Sequence, residues 1–150
     1  YESQDLSHIP FKDYVNRLLL ELFDSYAQDP SRIKLLLEIG EVYYNIETAI
    51  PLGLILNELV SNVFKYAFPG MMQGQLTIKL EKMDGLNILT VADDGLGIPE
   101  EIDFKNTSTL GLELVNSLVN QIDGEIELDR SHGTKFTIRY HEVEYKNRER

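Results

Sequence analysis

Glu58, Asn62 and Lys65 place an acid, an amide and a base at spacings of four and three residues. At 100° per residue, such spacings share one stripe of a helix. Leu52, Leu56, Leu59, Val60, Val63 and Ala67 make most of the remaining surface apolar and fit for burial. A mostly buried helix seldom keeps polar groups in line unless something polar lies against them. The spacing therefore fits a polar ligand site, and it fits equally a solvated seam of an amphipathic helix. About thirty residues on, Val91-Ala92-Asp93-Asp94-Gly95-Leu96-Gly97-Ile98-Pro99 follows an apolar run. A carboxylate at a strand end can accept a hydrogen bond from an exocyclic amine, which suits adenine. Gly95 and Gly97 allow positive φ or close approach of a ligand to the backbone. A plain Asp-Gly turn has the same letters.

Two other chemistries fail on the same loop. A dinucleotide fingerprint counted from Gly95 and Gly97 would need its third glycine at Glu100. A calcium loop aligned on Gly95 would put Thr90 and Ala92 where carboxylates must ligate. A third candidate is Ser108-Thr109-Leu110-Gly111-Leu112-Glu113, which enters a helix with Ser108 or Thr109 as N-cap. Gly111 in its first turn would let an anion approach unpaired N–H groups and the positive dipole end. A capped core helix with a packing glycine explains that stretch as well. Gly133-Thr134 before an alternating strand says little alone.

These pieces need a scaffold. Tyr14, Val15, Leu18, Leu19, Leu22, Phe23 and Tyr26 mark an amphipathic first helix stopping before Pro30, preceded by a short edge strand at 8–11. Residues 33–39 read as an apolar strand ending at Gly40. The motif helix is expected from Glu47 to Ala67, with Pro51 in its first turn, where a missing N–H costs little. Leu76, Ile78 and Leu80 alternate with polar residues, and Asp84-Gly85 turns the chain into a strand over 87–92. After the Leu110 helix, Gly124 leads into strands at 125–129 and 135–141. The expected fold is α+β: a two-layer sandwich with a mixed, mostly antiparallel sheet and helices on one face.

In this order, the four motifs resemble the N, G1, G2 and final glycine boxes of the GHKL ATP-binding superfamily. The strongest resemblance is to the catalytic and ATP-binding domain of sensor histidine kinases, in the subgroup with a short ATP lid. The phrases Leu56-Asn57-Glu58-Leu59-Val60-Ser61-Asn62 and Lys65-Tyr66-Ala67-Phe68-Pro69 carry it, with Ser3-Gln4-Asp5-Leu6 and Phe11-Lys12-Asp13-Tyr14-Val15 at the start. The resemblance spans about Asp5 to Tyr140. It implies a Bergerat-type ATP-binding fold, ATP and Mg²⁺ as cofactors, and transfer of the γ-phosphoryl group to a histidine. It also implies these roles: Glu58 polarises the nucleophile, Asn62 ligates Mg²⁺, Lys65 neutralises phosphate, and Tyr66 lies near adenine or ribose. Asp93 accepts the adenine amine with Thr134 in support, Gly95 and Gly97 let the loop pass the base, and Leu110, Gly111 and Leu112 offer amides to phosphates. The chain departs from the family at Thr109 and His132, where glycines are usual, and in a short 99–109 segment whose one aromatic is Phe104.

The domain division implied is a linker remnant over 1–8, the catalytic domain over 9–141 and a polar tail over 142–150. An opening Tyr1 suggests a piece of a longer, homodimeric protein. The acceptor histidine would sit on a separate dimerisation domain, and a response regulator would be the further partner. His8, His132 and His141 have no acceptor-like setting and read as surface residues. A net charge of −11 argues against a nucleic-acid partner, since binders of a phosphate backbone usually show a basic patch. With 43% hydrophobic residues and no cysteine, the composition fits a folded domain compatible with the cytoplasm, without disulfides. No apolar run reaches membrane-span length and no signal peptide is evident, so this domain is expected to make no membrane contact. Three alternatives stay open on sequence alone: an anti-sigma-factor-type serine kinase, a gyrase, Hsp90 or mismatch-repair type ATPase, and a non-catalytic nucleotide-binding module.

Overall fold

The computed structural model describes residues 8–26, 30–70, 73–98 and 110–143. The expected 99–109 lid, the Ser108 or Thr109 cap, the start over 1–7 and the tail from 144 lie outside the described residues.

A two-residue strand, β1 (Ile9–Pro10), leads directly into α1 (Phe11–Tyr26). Phe11 thus opens the helix instead of closing the strand. A 3-10 turn at Pro30–Arg32 precedes β2 (Ile33–Glu38), and β3 (Tyr43–Tyr44) pairs antiparallel with β1. Then come α2 (Ile46–Asn62), a π-helical turn (Val63–Ala67), β4 (Gly74–Met83) and β5 (Leu86–Asp93). The last described elements are α3 (Leu110–Gln121), β6 (Glu125–Asp129) and β7 (Thr134–Tyr140). The main sheet has the order β2-β4-β5-β7-β6, parallel only between β2 and β4. Helices cover one face, as the alternation in β4, β5 and β7 requires.

Along β5, Asn87, Leu89, Val91 and Asp93 are buried, and the register sets them opposite Tyr140, Ile138, Phe136 and Thr134 of β7. Leu52, Ile55, Leu56, Leu59 and Val60 of α2 lie on that face, beside Val115 and Val119 of α3. Adding a Cβ to Gly53 would bring it 2.1 Å from the Tyr14 hydroxyl, so any larger residue there would have to displace the Tyr14 ring of α1.

The α2 helix departs from expectation at both ends. It starts at Ile46, and Asn45 caps it by accepting the Thr48 N–H at 2.9 Å. Pro51 consequently sits in the second turn, where it removes the donor to the Glu47 carbonyl. At the other end the expected α turn is a π turn. Residues 142–143, expected in the tail, are docked on this cap: a Glu142 oxygen accepts the Asn45 N–H at 2.8 Å, and the Val143 N–H donates to Thr48 Oγ1 at 2.8 Å. Glu142 and Val143 thus contact the start of α2.

Candidate nucleotide-binding site

A cavity of about 640 Å³ lies between the end of α2, the loop after β5 and the start of α3. Its floor is apolar, formed by Val63, Val91 and Phe136, and its walls bring together Glu58, Asn62, Lys65, Tyr66, Asp93, Gly97, Leu110, Gly111, Leu112 and Thr134. Every predicted site residue except Gly95 lines it. Val91 and Phe136 carry no motif of their own, although strand period does point to them: each stands two residues from Asp93 or Thr134 and so faces the same side.

Asp93 ends β5 and is 7% exposed. Burial raises its carboxyl above the usual 3.8, against the pull of backbone N–H groups from Gly95 and Thr134, while the charge of Asp94 pushes the same way as burial. One oxygen accepts the Gly95 N–H at 2.9 Å. Thr134 therefore reaches Asp93 through its backbone, across the β5–β7 register. Asp94 accepts the Gln75 N–H at 2.8 Å and ties the loop to the start of β4.

The glycines divide their work differently from the expectation. A Cβ on Gly95 would stand 2.3 Å from the Ala67 carbonyl oxygen, and the neighbouring Leu96 N–H donates to that oxygen at 3.0 Å. Gly95 thus lets the loop close onto the π turn and does not face the cavity. Gly97 does face it. Gly133, with φ of 77° and a notional Cβ 2.2 Å from the Asp93 carbonyl oxygen, can be no other residue without displacing β5.

At the far wall, a Cβ on Gly111 would lie 2.9 Å from a Glu58 oxygen. The Glu58 carboxylate is thus set against the first turn of α3, with the half-exposed Asn62 one turn along α2. Beyond Asn62 the π turn shifts the phase of the helix. More than four residues per turn means less rotation per residue, so Tyr66 keeps to the line of Glu58 and Asn62 and Lys65 swings aside. The Lys65 ammonium lies 5.7 Å from the centre of the Tyr26 ring, and Tyr66 is 68% exposed at the rim. A single α-helical stripe through all three polar residues is therefore not what forms.

The site fits a purine nucleotide on its own chemistry: apolar lining from Val63, Val91 and Phe136, the buried acceptor Asp93, and the first turn of α3 in one cavity. Among the described residues there is no cluster of His, Asp or Glu that could hold a metal alone. A single amide such as Asn62 suits Mg²⁺, which keeps waters and takes substrate phosphates as its other ligands. His8, His132 and His141 are all exposed and none lines the cavity, and His141 Nδ1 lies 3.1 Å from the Gly85 carbonyl. A second hollow of about 420 Å³ between α3 and β6, lined by Asn116, Asn120, Glu125 and Glu127, contains none of the predicted residues.

Residues 47–144 match the family model described as histidine kinase-, DNA gyrase B- and HSP90-like ATPases. This chain belongs to that family. It is 30% identical over 123 residues to blue-light-activated histidine kinase 2 of Erythrobacter litoralis, covering 81% of this chain and 35% of that protein. It is 30% identical over 132 residues to the sensor histidine kinase PdtaS of Mycobacterium tuberculosis, covering 85% of this chain and 26% of that protein. Among solved structures, the histidine kinase domain of the Erythrobacter litoralis EL346 blue-light-activated kinase superposes with a TM-score of 0.82 at 30% identity, over 89% of this chain and 61% of that one. The chain is thus a histidine kinase-type ATPase domain with the expected α+β sandwich, homologous to the catalytic domains of sensor histidine kinases. It spans 35% and 26% of these two curated relatives. Among the described residues, no helix is long and apolar enough to cross a membrane.

Proposed function

We propose that the cavity binds Mg²⁺-ATP and that the domain passes the γ-phosphoryl group to a histidine on a separate phosphoacceptor domain of the same protein, for relay to a response regulator. The observation that carries this reading is the polarity of one cavity: Asp93 buried beside the apolar floor and Glu58 held against the α3 N-terminus. Asp93 accepts the adenine amine, with Thr134 and Gly97 beside it. Tyr66 covers the ribose or base from the rim. Asn62 holds the Mg²⁺, which when bound neutralises charge on the phosphates. Lys65 and the amides of Leu110, Gly111 and Leu112 meet the remaining phosphate oxygens.

Glu58 takes the proton from the acceptor imidazole as its nitrogen bonds to the γ-phosphorus. The bond from that phosphorus to the bridging oxygen breaks, and ADP leaves. Positioning and charge neutralisation supply most of the acceleration in such transfers. The parent protein is proposed to be a homodimer with this domain in the cytoplasm, and the domain alone binds nucleotide without phosphorylating itself.

In the full-length protein, Glu58→Gln should cut phosphotransfer by about 10²–10⁴-fold, the usual weight of a general base. ATP affinity, read by titration of the same variant, should stay within about twofold of wild type. Phosphotransfer at the wild-type rate would remove Glu58 from its assigned role.

A further inference from the structure

The π turn sends Phe64 and Lys65 towards α1. The Phe64 ring meets Phe23 edge-on at 4.8 Å and lies parallel to Tyr26 at 6.2 Å between centroids. Next along the chain, the Lys65 ammonium stands 5.7 Å from the centroid of the same Tyr26 ring. That is inside the range of about 6 Å over which a cation is drawn to an aromatic face. Among the described residues no carboxylate forms an ion pair with Lys65. Lys65 also lines the nucleotide cavity, whereas Tyr26 does not.

We propose that Tyr26 is a positioning residue for the nucleotide site: its ring holds the Lys65 ammonium at the cavity rim, ready for phosphate. The inference rests on the proposed function, in which Lys65 meets the nucleotide's phosphates. A free lysine samples many rotamers, and fixing it on binding costs affinity; restricting it beforehand removes part of that cost. The ring engages one side of the ammonium and leaves N–H groups for oxygen. At an exposed site the attraction is also weaker than a charge-assisted hydrogen bond to phosphate, so the ring prepares the lysine without competing for it. Tyr26 is 41% exposed at the end of α1, and its removal leaves the buried core of that helix in place.

The test is calorimetric titration of the domain with a non-hydrolysable ATP analogue and, separately, with adenosine. Tyr26→Leu should weaken the ATP analogue about two- to fivefold, the weight of an exposed cation–π contact. Tyr26→Phe, which keeps the ring, should restore it, and neither change should move the affinity for adenosine. Lys65→Met should weaken the analogue by itself, and adding Tyr26→Leu to it should cost nothing more. If Lys65→Met has no effect, the phosphate role of Lys65 falls and this inference with it. If Lys65→Met weakens binding but Tyr26→Leu leaves it unchanged, strengthens it, or weakens adenosine equally, Tyr26 is not a positioning residue and the phosphate role of Lys65 stands.

Discussion

The two ends of the β5–β7 strand pair carry buried polar groups at matched positions, and they resolve them in opposite ways. At one end Asn87 faces Tyr140; at the other Asp93 faces Thr134. The Asn87 end is closed. The Tyr44 hydroxyl donates to Asn87 Oδ1 at 2.8 Å, the Tyr44 and Tyr140 hydroxyls lie 2.9 Å apart, and Asn87 Nδ2 donates to the Tyr140 carbonyl at 3.2 Å. Burial pushes the Tyr44 hydroxyl up to about 12 and the Tyr140 hydroxyl higher still, so both stay neutral donors. The Asp93 end opens on a cavity, flanked by glycine-bearing loops and a π turn. A polar group whose partners are all internal holds the fold together, whereas one left facing a cavity is available to a ligand.

That contrast can be broken from either end. The largest effect is expected at the open one: Asp93→Asn should weaken an ATP analogue about 10- to 100-fold, the range for a hydrogen bond to a charged group. Titration reads the affinity, and thermal unfolding should show no loss of stability, since a buried charge is removed.

At the closed end, Tyr44→Phe should cost about 1–3 kcal/mol of stability by leaving the Asn87 oxygen without its buried donor. Its ATP affinity should match wild type, and a large loss of affinity would mean that the two ends are not independent.

A smaller effect comes from acid. The Asp93 carboxyl is raised in the fold, so ionised Asp93 costs stability once the pH passes its folded value, and that cost vanishes below the unfolded value of 3.8. An amine donor needs the ionised form. Adenosine affinity should therefore be complete at neutral pH and start to fall above the ordinary carboxylate range as the solution is acidified. The Asp93→Asn variant, titrated alongside, should lack that step.

The open end is legible in the sequence, and the closed end is not. Glu58 and Asn62 fall on one helical stripe, and Asp93 sits where an apolar strand meets glycines, so local spacing announces them. Tyr44 is separated by 43 and 96 positions along the chain from its hydrogen-bond partners Asn87 and Tyr140, and no local period relates them. Two-residue strands such as β1 and β3 are too short to show alternation. The turn of Lys65 towards Tyr26 is hidden for another reason. Reading at 3.6 residues per turn assumes an α-helix, and the π turn at Val63–Ala67 breaks that phase without any glycine or proline to mark it. The need for a glycine at Gly95 is evident from the motif, but spacing alone does not tell close packing on Ala67 from close approach to a ligand.

The most direct test is titration of the isolated domain with non-hydrolysable ATP and GTP analogues, each with and without Mg²⁺. Saturable binding of the adenine nucleotide, tightened by the metal, with the guanine analogue at least about tenfold weaker, is the predicted result. Equal affinity for both bases, or no heat with either, would contradict a cavity built around Asp93 and an exocyclic amine.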